Sequence, residues 1–212
     1  MDILTLKKAQ KYTDKQLDFP CTNLIQNGNF ATDLSGWTHY NEKASWVDGR
    51  AYFNRPIGAG VVTLRQNFAV VEGHKFYFSA DIENIKKAGG LYGIINNFGD
   101  PQRIINLNGL ELGAHRVSTV FVVNTWGYLY INSVEGTEFY IDNLIMIDLT
   151  ATFGAGNEPT AEEMDDILAK YPNGWFDGTV NPLLLPPEMF GYFQRQINKI
   201  KTAVVGLGGF DV

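Results

Sequence analysis

The strongest constraint on this chain is residues 22–149, where short extended segments follow one another with turn residues between them and no helical periodicity. Residues 74–82 put Phe76 and Phe78 on one side of an extended backbone and Tyr77 and Ser79 on the other. Residues 116–123 repeat the pattern, with Val117, Thr119, Phe121 and Val123 opposite Arg116, Ser118, Val120 and Val122. Asp48-Gly49 lies inside the aromatic-rich segment 45–53, a hairpin signal. Glu72-Gly73 joins segment 61–71, apolar at Val62, Leu64, Phe68 and Val70, to segment 74–82. With segments 91–95, 127–131 and 138–147, eight or nine strands are expected. Strands in series without helices between them bury their apolar faces by stacking sheet on sheet. The expected fold is therefore mostly β: an antiparallel β-sandwich of the jelly-roll kind.

Composition narrows the function classes. The 212 residues are 45% hydrophobic and 19% charged, enough for a packed core. The net charge is −6, and no stripe of lysine and arginine appears, so a nucleic-acid partner has no electrostatic basis. Cys21 is the single cysteine, which excludes an intramolecular disulfide and a cysteine-based metal site within one chain. No apolar run is long enough for a transmembrane helix, so membrane insertion is not expected. The first residues, Met1-Asp-Ile-Leu, lack the basic-then-apolar order of a signal peptide, so synthesis in a cytoplasm is expected.

The flanks read differently from the centre. Residues 2–17 read as a helix capped by Asp2. Its heptad positions Ile3, Leu6, Gln10, Thr13 and Leu17 leave a coiled-coil seam and packing on the chain's own sandwich both open. Pro20 follows it. A second helix is capped by Thr160, with Glu163 at the capping-box position and an apolar stripe of Ala161, Met164, Ile167 and Leu168. Pro172-Asn-Gly stops it, and Trp175 and Phe176 can staple this segment to the sandwich. After the stiff Leu183-Leu-Leu-Pro-Pro187, Phe190, Phe193, Ile197, Ile200 and Val204 alternate steps of three and four. That stripe suits packing on its own domain or on copies of itself. Its tether beyond two prolines favours copies, hence a homo-oligomer. The expected organisation is an N-terminal helix or attachment segment (1–21), a sandwich (22–149), a capping segment with a short helix (150–182), and a linker with an oligomerising helix (183–212).

The opening stretch, residues 22–38, contains Asn23-Leu-Ile-Gln-Asn-Gly-Asn-Phe30 and then Gly36-Trp37. Asn27-Gly28 reads as a tight turn with glycine at positive φ, and Phe30 and Trp37 as apolar anchors. This stretch resembles the start of jelly-roll carbohydrate-binding modules, and the closing strand Phe139-Tyr-Ile-Asp-Asn-Leu-Ile-Met-Ile-Asp148 is similar to their last strand. That resemblance implies a structural Ca²⁺ between the two strands, with Asp142 at a position that commonly supplies a ligand. Ala31 stands where an acidic residue is usual. Residues 150–181 resemble a segment of tail, baseplate and fibre proteins of bacteriophages infecting Gram-positive bacteria. Ile3-Leu-Thr-Leu6 and Lys11-Tyr-Thr-Asp14 resemble the start of such proteins.

The second resemblance implies a non-enzymatic virion component at the tail, baseplate or fibre, exposed on the assembled particle. Its implied partners are other virion proteins, further copies of itself, most simply as a trimer, and a host cell-surface glycan. A head-attached decoration or fibre protein is one alternative. An accessory carbohydrate-binding module of a secreted glycoside hydrolase is another.

Catalytic motifs are lacking in the sequence. His39, His74 and His115 are far apart and in no metal or nucleophile pattern. Glu162, Glu163, Asp165 and Asp166 read as a solvated helix N-terminal face rather than an acid–base pair. Gly154-Ala-Gly156 lacks the lysine and hydroxyl residue of a phosphate loop. A sugar presents apolar C–H faces and polar edges, so its site needs flat aromatic rings beside hydrogen-bonding groups. Trp46, Tyr52, Tyr92, Trp126 and Tyr128 are the ring candidates, with Asn96, Asn97, Gln102 and Arg103 as polar ones. Core packing is the competing reading for each ring.

Overall fold

Two five-stranded sheets stack face to face in the computed structural model, which describes residues 21–87, 93–97, 102–123, 128–169 and 171–180. One sheet has the order β2 (Glu42–Lys43), β5 (Val62–Asn67), β10 (Tyr128–Asn132), β7 (Gly93–Asn97), β8 (Gln102–Asn106). The other has the order β3 (Ser45–Val47), β4 (Arg50–Arg55), β11 (Thr137–Asp148), β6 (Lys75–Lys86), β9 (Gly113–Val122). They are named here by their central strands, the β10 sheet and the β11 sheet. All their ladders are antiparallel except the short β2/β5 pairing. A two-residue clasp pairs β1 (Cys21–Thr22) with β12 (Thr179–Val180). The fold is thus the mostly β, antiparallel sandwich expected. The helix of residues 2–17 and the stripe Phe190, Phe193, Ile197, Ile200 and Val204 lie outside the described residues.

The alternation of each strand delivers its apolar half to one core. Leu64, Leu129 and Ile131 from the β10 sheet meet Phe53, Phe76, Phe78, Ile82, Phe139 and Ile141 from the β11 sheet. Phe53 and Phe139 are register partners and stack at 4.6 Å. Each such buried side chain contributes about 1.5–3 kcal/mol, against about 0–1 for an exposed ion pair, so this layer holds the sandwich together. Phe30 and Trp37 join it, 5.5 Å apart. The hairpin turn at Asp48-Gly49 takes φ of 49° and 78°, the left-handed pair that a two-residue turn requires.

A second, smaller core covers half of the β11 sheet's outer face. Tyr77, Ile145 and Ile147 point away from the first core. They meet α1 (Leu149–Phe153), α2 (Ala161–Leu168) and Phe176. Thr160 and Glu163 form the expected capping box. Met164, Ile167 and Leu168 are buried, and the Trp175 indole N–H donates to the Leu144 carbonyl at 3.1 Å. Asp165 departs from the solvated-face expectation. Its carboxylate accepts from the Tyr77 and Ser118 hydroxyls, docking α2 on the sheet. Glu162 and Asp166 are exposed as expected. Burial with this carboxylate beside it raises the Tyr77 phenol's pKa.

A β-bulge in β11 connects these parts. Asp142 pairs with Asp81 and Ile145 with Ser79, so β11 spends one extra residue there, and Asn143 takes φ of 50°. The bulge frees the Leu144 backbone for the opening segment: its N–H donates to the Gly28 carbonyl at 2.9 Å. Gly28 is glycine because a Cβ there would stand 2.5 Å from the Leu144 carbonyl oxygen. This corrects the expectation of a positive φ at Gly28. Asn27 carries it, at 49°, and glycine is required by close approach.

Asn23 is buried and fully used. Its side-chain oxygen accepts from the Ile25 and Met146 N–H groups at 3.1 and 3.0 Å. Its amide nitrogen donates to the Leu144 and Phe176 carbonyls at 3.3 and 3.0 Å. One side chain therefore joins the opening segment, the closing strand and the cap. Asn23→Ala is expected to cost roughly 3 kcal/mol in urea denaturation, because buried backbone groups lose their partners. Thr22→Ala, which removes only the exposed 2.9 Å hydroxyl contact with Thr179, is expected to cost about 0.5 kcal/mol or less.

Candidate functional site

The outer face of the β10 sheet follows from the same alternation. Leu129 and Ile131 enter the core, so Tyr128, Tyr130 and Asn132 stand on the other side, half-buried. The two rings meet edge to face, 6.2 Å apart. On neighbouring β5, Leu64 is in the core and Arg65 faces outward, with its guanidinium carbon 5.5 Å from the Tyr128 ring centre. The Arg65 Nε donates to the Thr38 hydroxyl at 3.1 Å. Exposed Tyr40 is anchored beside this face by its backbone, whose N–H and carbonyl both bond the Thr63 hydroxyl. Burial raises the Tyr130 phenol's pKa. The Tyr128 and Tyr40 hydroxyls add to the shift, and Arg65 and Arg55 oppose it.

Arg65 also lines a cleft of about 430 Å³ with Gln26, Thr38, Gln66 and Asn67. The floor is fixed by Gln66, whose amide accepts from the Gln26 N–H at 2.8 Å and donates to the Gln26 carbonyl at 2.9 Å. Arg65 thus links the tyrosine pair to the polar cleft beside it.

The sequence-expected binding residues divide between the two sheets. Asn97 is the register partner of Tyr128, and Arg103 pairs with Ile95, itself the partner of Tyr130. Those three positions, Asn97, Arg103 and Tyr128, therefore belong to the β10 sheet. Tyr92 and Trp126 lie outside the described residues. Trp46 and Tyr52 belong to the β11 sheet. The Trp46 indole donates to the Phe30 carbonyl at 2.6 Å, while Tyr52 packs on Tyr140 at 4.7 Å and donates to Glu138 at 2.6 Å. Sequence reasoning omitted Tyr130, Arg65 and Tyr40. Tyr130 was legible, standing two residues from Tyr128 on the same strand.

The uncapped half of the β11 sheet forms a second basin, of about 400 Å³, around Arg50, Asp81, Glu83, Arg116, Tyr140 and Asp142. Both of its arginines are paired with carboxylates. Arg50 pairs with Glu83 at 2.6 Å and lies 4.0 Å from the Tyr140 ring centre. Arg116 pairs with Asp81 at 2.9 Å and donates to the Ser79 hydroxyl and the Gly174 carbonyl. His74 and Asp148, 2.9 Å apart, sit elsewhere, where Asp148 caps α1.

The residues present do not fit calcium at Asp142. This carboxylate lies among Arg50, Arg116 and Asp81, and Asp81 is already held by Arg116 and the Asn143 amide. The closing-strand groups that face the opening segment are the backbone of Leu144 and Met146, bonded to Gly28, Leu24 and Asn23. Among the described residues, no three His, Cys, Asp or Glu side chains converge on a metal-sized site.

No protein-family model matches the chain, and no curated protein matches it. Solved structures with a similar arrangement include the enzymatically active domain of tailspike protein 4 from bacteriophage CBA120. That match has 16% identity and a TM-score of 0.41, over 58% of this chain and 21% of that one. A family 4 carbohydrate-binding module matches at 14% identity and TM-score 0.42, over 58% and 98% of the two chains. A family 29 module matches at 16% identity and TM-score 0.41, over 60% and 88%. The chain spans about a fifth of the tailspike. Likeness at these identities and TM-scores carries nothing about function.

Burial pushes the Asp142 carboxyl up to about 6; the Asn143 N–H opposes this, the Asp81 carboxylate adds to it, and Arg50 and Arg116 oppose it. A carboxyl raised on folding favours the native state while protonated. That contribution is present below about pH 4 and is lost as pH rises through about 6. Asp142→Asn should therefore melt like the parent near pH 4 and above it near pH 8, as followed by circular dichroism.

Proposed function

We propose that this chain is a glycan-binding module whose site is the outer face of the β10 sheet, centred on Tyr128 and Tyr130. The observation that carries the reading is two tyrosine rings on successive outward positions of one central strand, beside Asn132 and the polar cleft. Such rings take the C–H faces of a pyranose while neighbouring amides bond its edge hydroxyls. A shallow face makes few contacts, so a single-site Kd of about 0.1–1 mM suits it, and several copies on one assembly would raise avidity.

The role proposed for the module is attachment, without hydrolysis and without a cofactor, in a phage virion at the tail, baseplate or fibre, exposed on the assembled particle. The sequence resemblance of residues 150–181 supports that setting, and the stripe from Phe190 to Val204 is proposed as its self-association surface. Light scattering of the full chain checks the latter: Ile197→Asp should lower the oligomer mass and leave the sandwich's melting unchanged.

Isothermal titration against cell-wall polysaccharide fractions tests the binding reading. Tyr128→Ala and Tyr130→Ala should each weaken binding by about tenfold, or 1.4 kcal/mol, and Tyr52→Ala should leave it intact. Binding indifferent to both tyrosines of β10 would refute the site.

A further inference from the structure

Carboxylates are segregated between the two sheets. The β11 sheet carries Asp81, Glu83, Glu138, Asp142 and Asp148 on β6 and β11. In the β10 sheet, the strands β5, β7, β8 and β10 contain no aspartate or glutamate, and they contain Arg65 and Arg103. The carboxylate of that sheet is Glu42, on its two-residue edge strand, beside Lys43. In a chain of net charge −6, the strands of the sheet bearing the tyrosine pair thus contain Lys43, Arg65 and Arg103 against the single carboxylate Glu42, whereas five acids meet five lysines and arginines on the strands of the β11 sheet.

Arg65 also differs from the other arginines whose side chains are described. Arg50, Arg55 and Arg116 each have a carboxylate partner, Glu83, Glu135 and Asp81. Arg65 has none among the described residues. Its Nε is held by Thr38, which fixes the plane of the guanidinium against the Tyr128 ring and beside the cleft. A planar, oriented guanidinium with no carboxylate partner among the described residues is suited to bind an external oxyanion through paired N–H donors.

We propose that the ligand of this face is an acidic glycan, and that Arg65 binds its carboxylate or phosphate group while Tyr128 and Tyr130 take the sugar ring. This rests on the glycan-binding reading above and adds the class of sugar. The uncharged face of the ring and the charged substituent are then read by different residues, so the two contributions separate in a test.

The full chain is titrated with four probes at low and high salt: an oligogalacturonate and its methyl ester, and a phosphorylated oligomannoside and its unphosphorylated parent. At least one acidic probe should bind tenfold or more tighter than its neutral counterpart, and salt should erase the difference. Which pair shows it identifies the oxyanion. Arg65→Gln should abolish the preference, so that acidic and neutral probes bind alike. Arg65→Lys, which keeps the charge and loses the fork, should retain part of it. Tyr130→Ala should weaken acidic and neutral probes together, and thermal melting confirms that each variant is folded.

Equal binding of acidic and neutral probes by the parent chain overturns the acidic class and leaves the glycan reading standing. A preference that survives Arg65→Gln in folded protein overturns the role of Arg65. No binding of any probe, at concentrations well above a millimolar Kd, overturns both.

Discussion

The carboxamide of Asn23 is the interaction on which the arrangement of the rest depends. The Leu144 and Met146 backbone that it reaches lies on the edge of β11 away from β6, past the extra residue at Asn143 and past the end of the β4 ladder. The opening segment takes that edge, where Leu24 and Gly28 bond Met146 and Leu144. There the opening segment, the closing strand and the cap converge on one buried amide whose donors and acceptors are all satisfied. A buried amide of this kind is costly when half-paired, so it specifies one arrangement more sharply than an apolar contact of the same size.

The two outer faces consequently have different fates. The cap docks on Tyr77, Ile145 and Ile147, and Asp165 and Arg116 fasten it with hydrogen bonds across to β6 and β9. What is left of that sheet's outer face is a basin in which both arginines are paired with carboxylates. Among the described residues, no helix or cap packs over the outer face of the β10 sheet as α1 and α2 do over the β11 sheet. The rigidity of the β10 sheet comes from the core beneath, where Leu129 and Ile131 are fully buried, so the half-buried rings are positioned by strand geometry rather than by a loop.

Local features were readable in the sequence wherever the physics is local. The Asp48-Gly49 turn depends on two residues, the Thr160/Glu163 box on four, and the Phe76/Phe78 and Tyr77/Ser79 division on strand parity alone. Sheet membership is not local. Alternation says which residues of one strand share a face, but not which sheet the strand joins. Tyr52 and Tyr128 therefore looked equivalent in sequence and lie in different sheets. Gly28 and Asp165 were misread for the same reason. The atom that requires glycine is the carbonyl of Leu144, and the groups that occupy Asp165 are hydroxyls of Tyr77 and Ser118. α1, whose cap is Asp148 at the very end of β11, gave no separate signal because its five residues continue an apolar strand.

The clasp between β1 and β12 has a mechanical consequence. Cys21 pairs with Val180 and Thr22 with Thr179, so the two ends of the described chain lie at the same end of a short antiparallel ladder. Tension on the flanking segments peels that ladder apart one rung at a time, instead of shearing all its bonds together. Behind it stand the Asn23 N–H bond to the Gly178 carbonyl and the Asn23 amide itself. A pull would therefore open the clasp and reach Asn23 before it strained the ladders of either sheet, so the clasp would yield first while the tyrosine face, built on the opposite sheet, kept its shape under load.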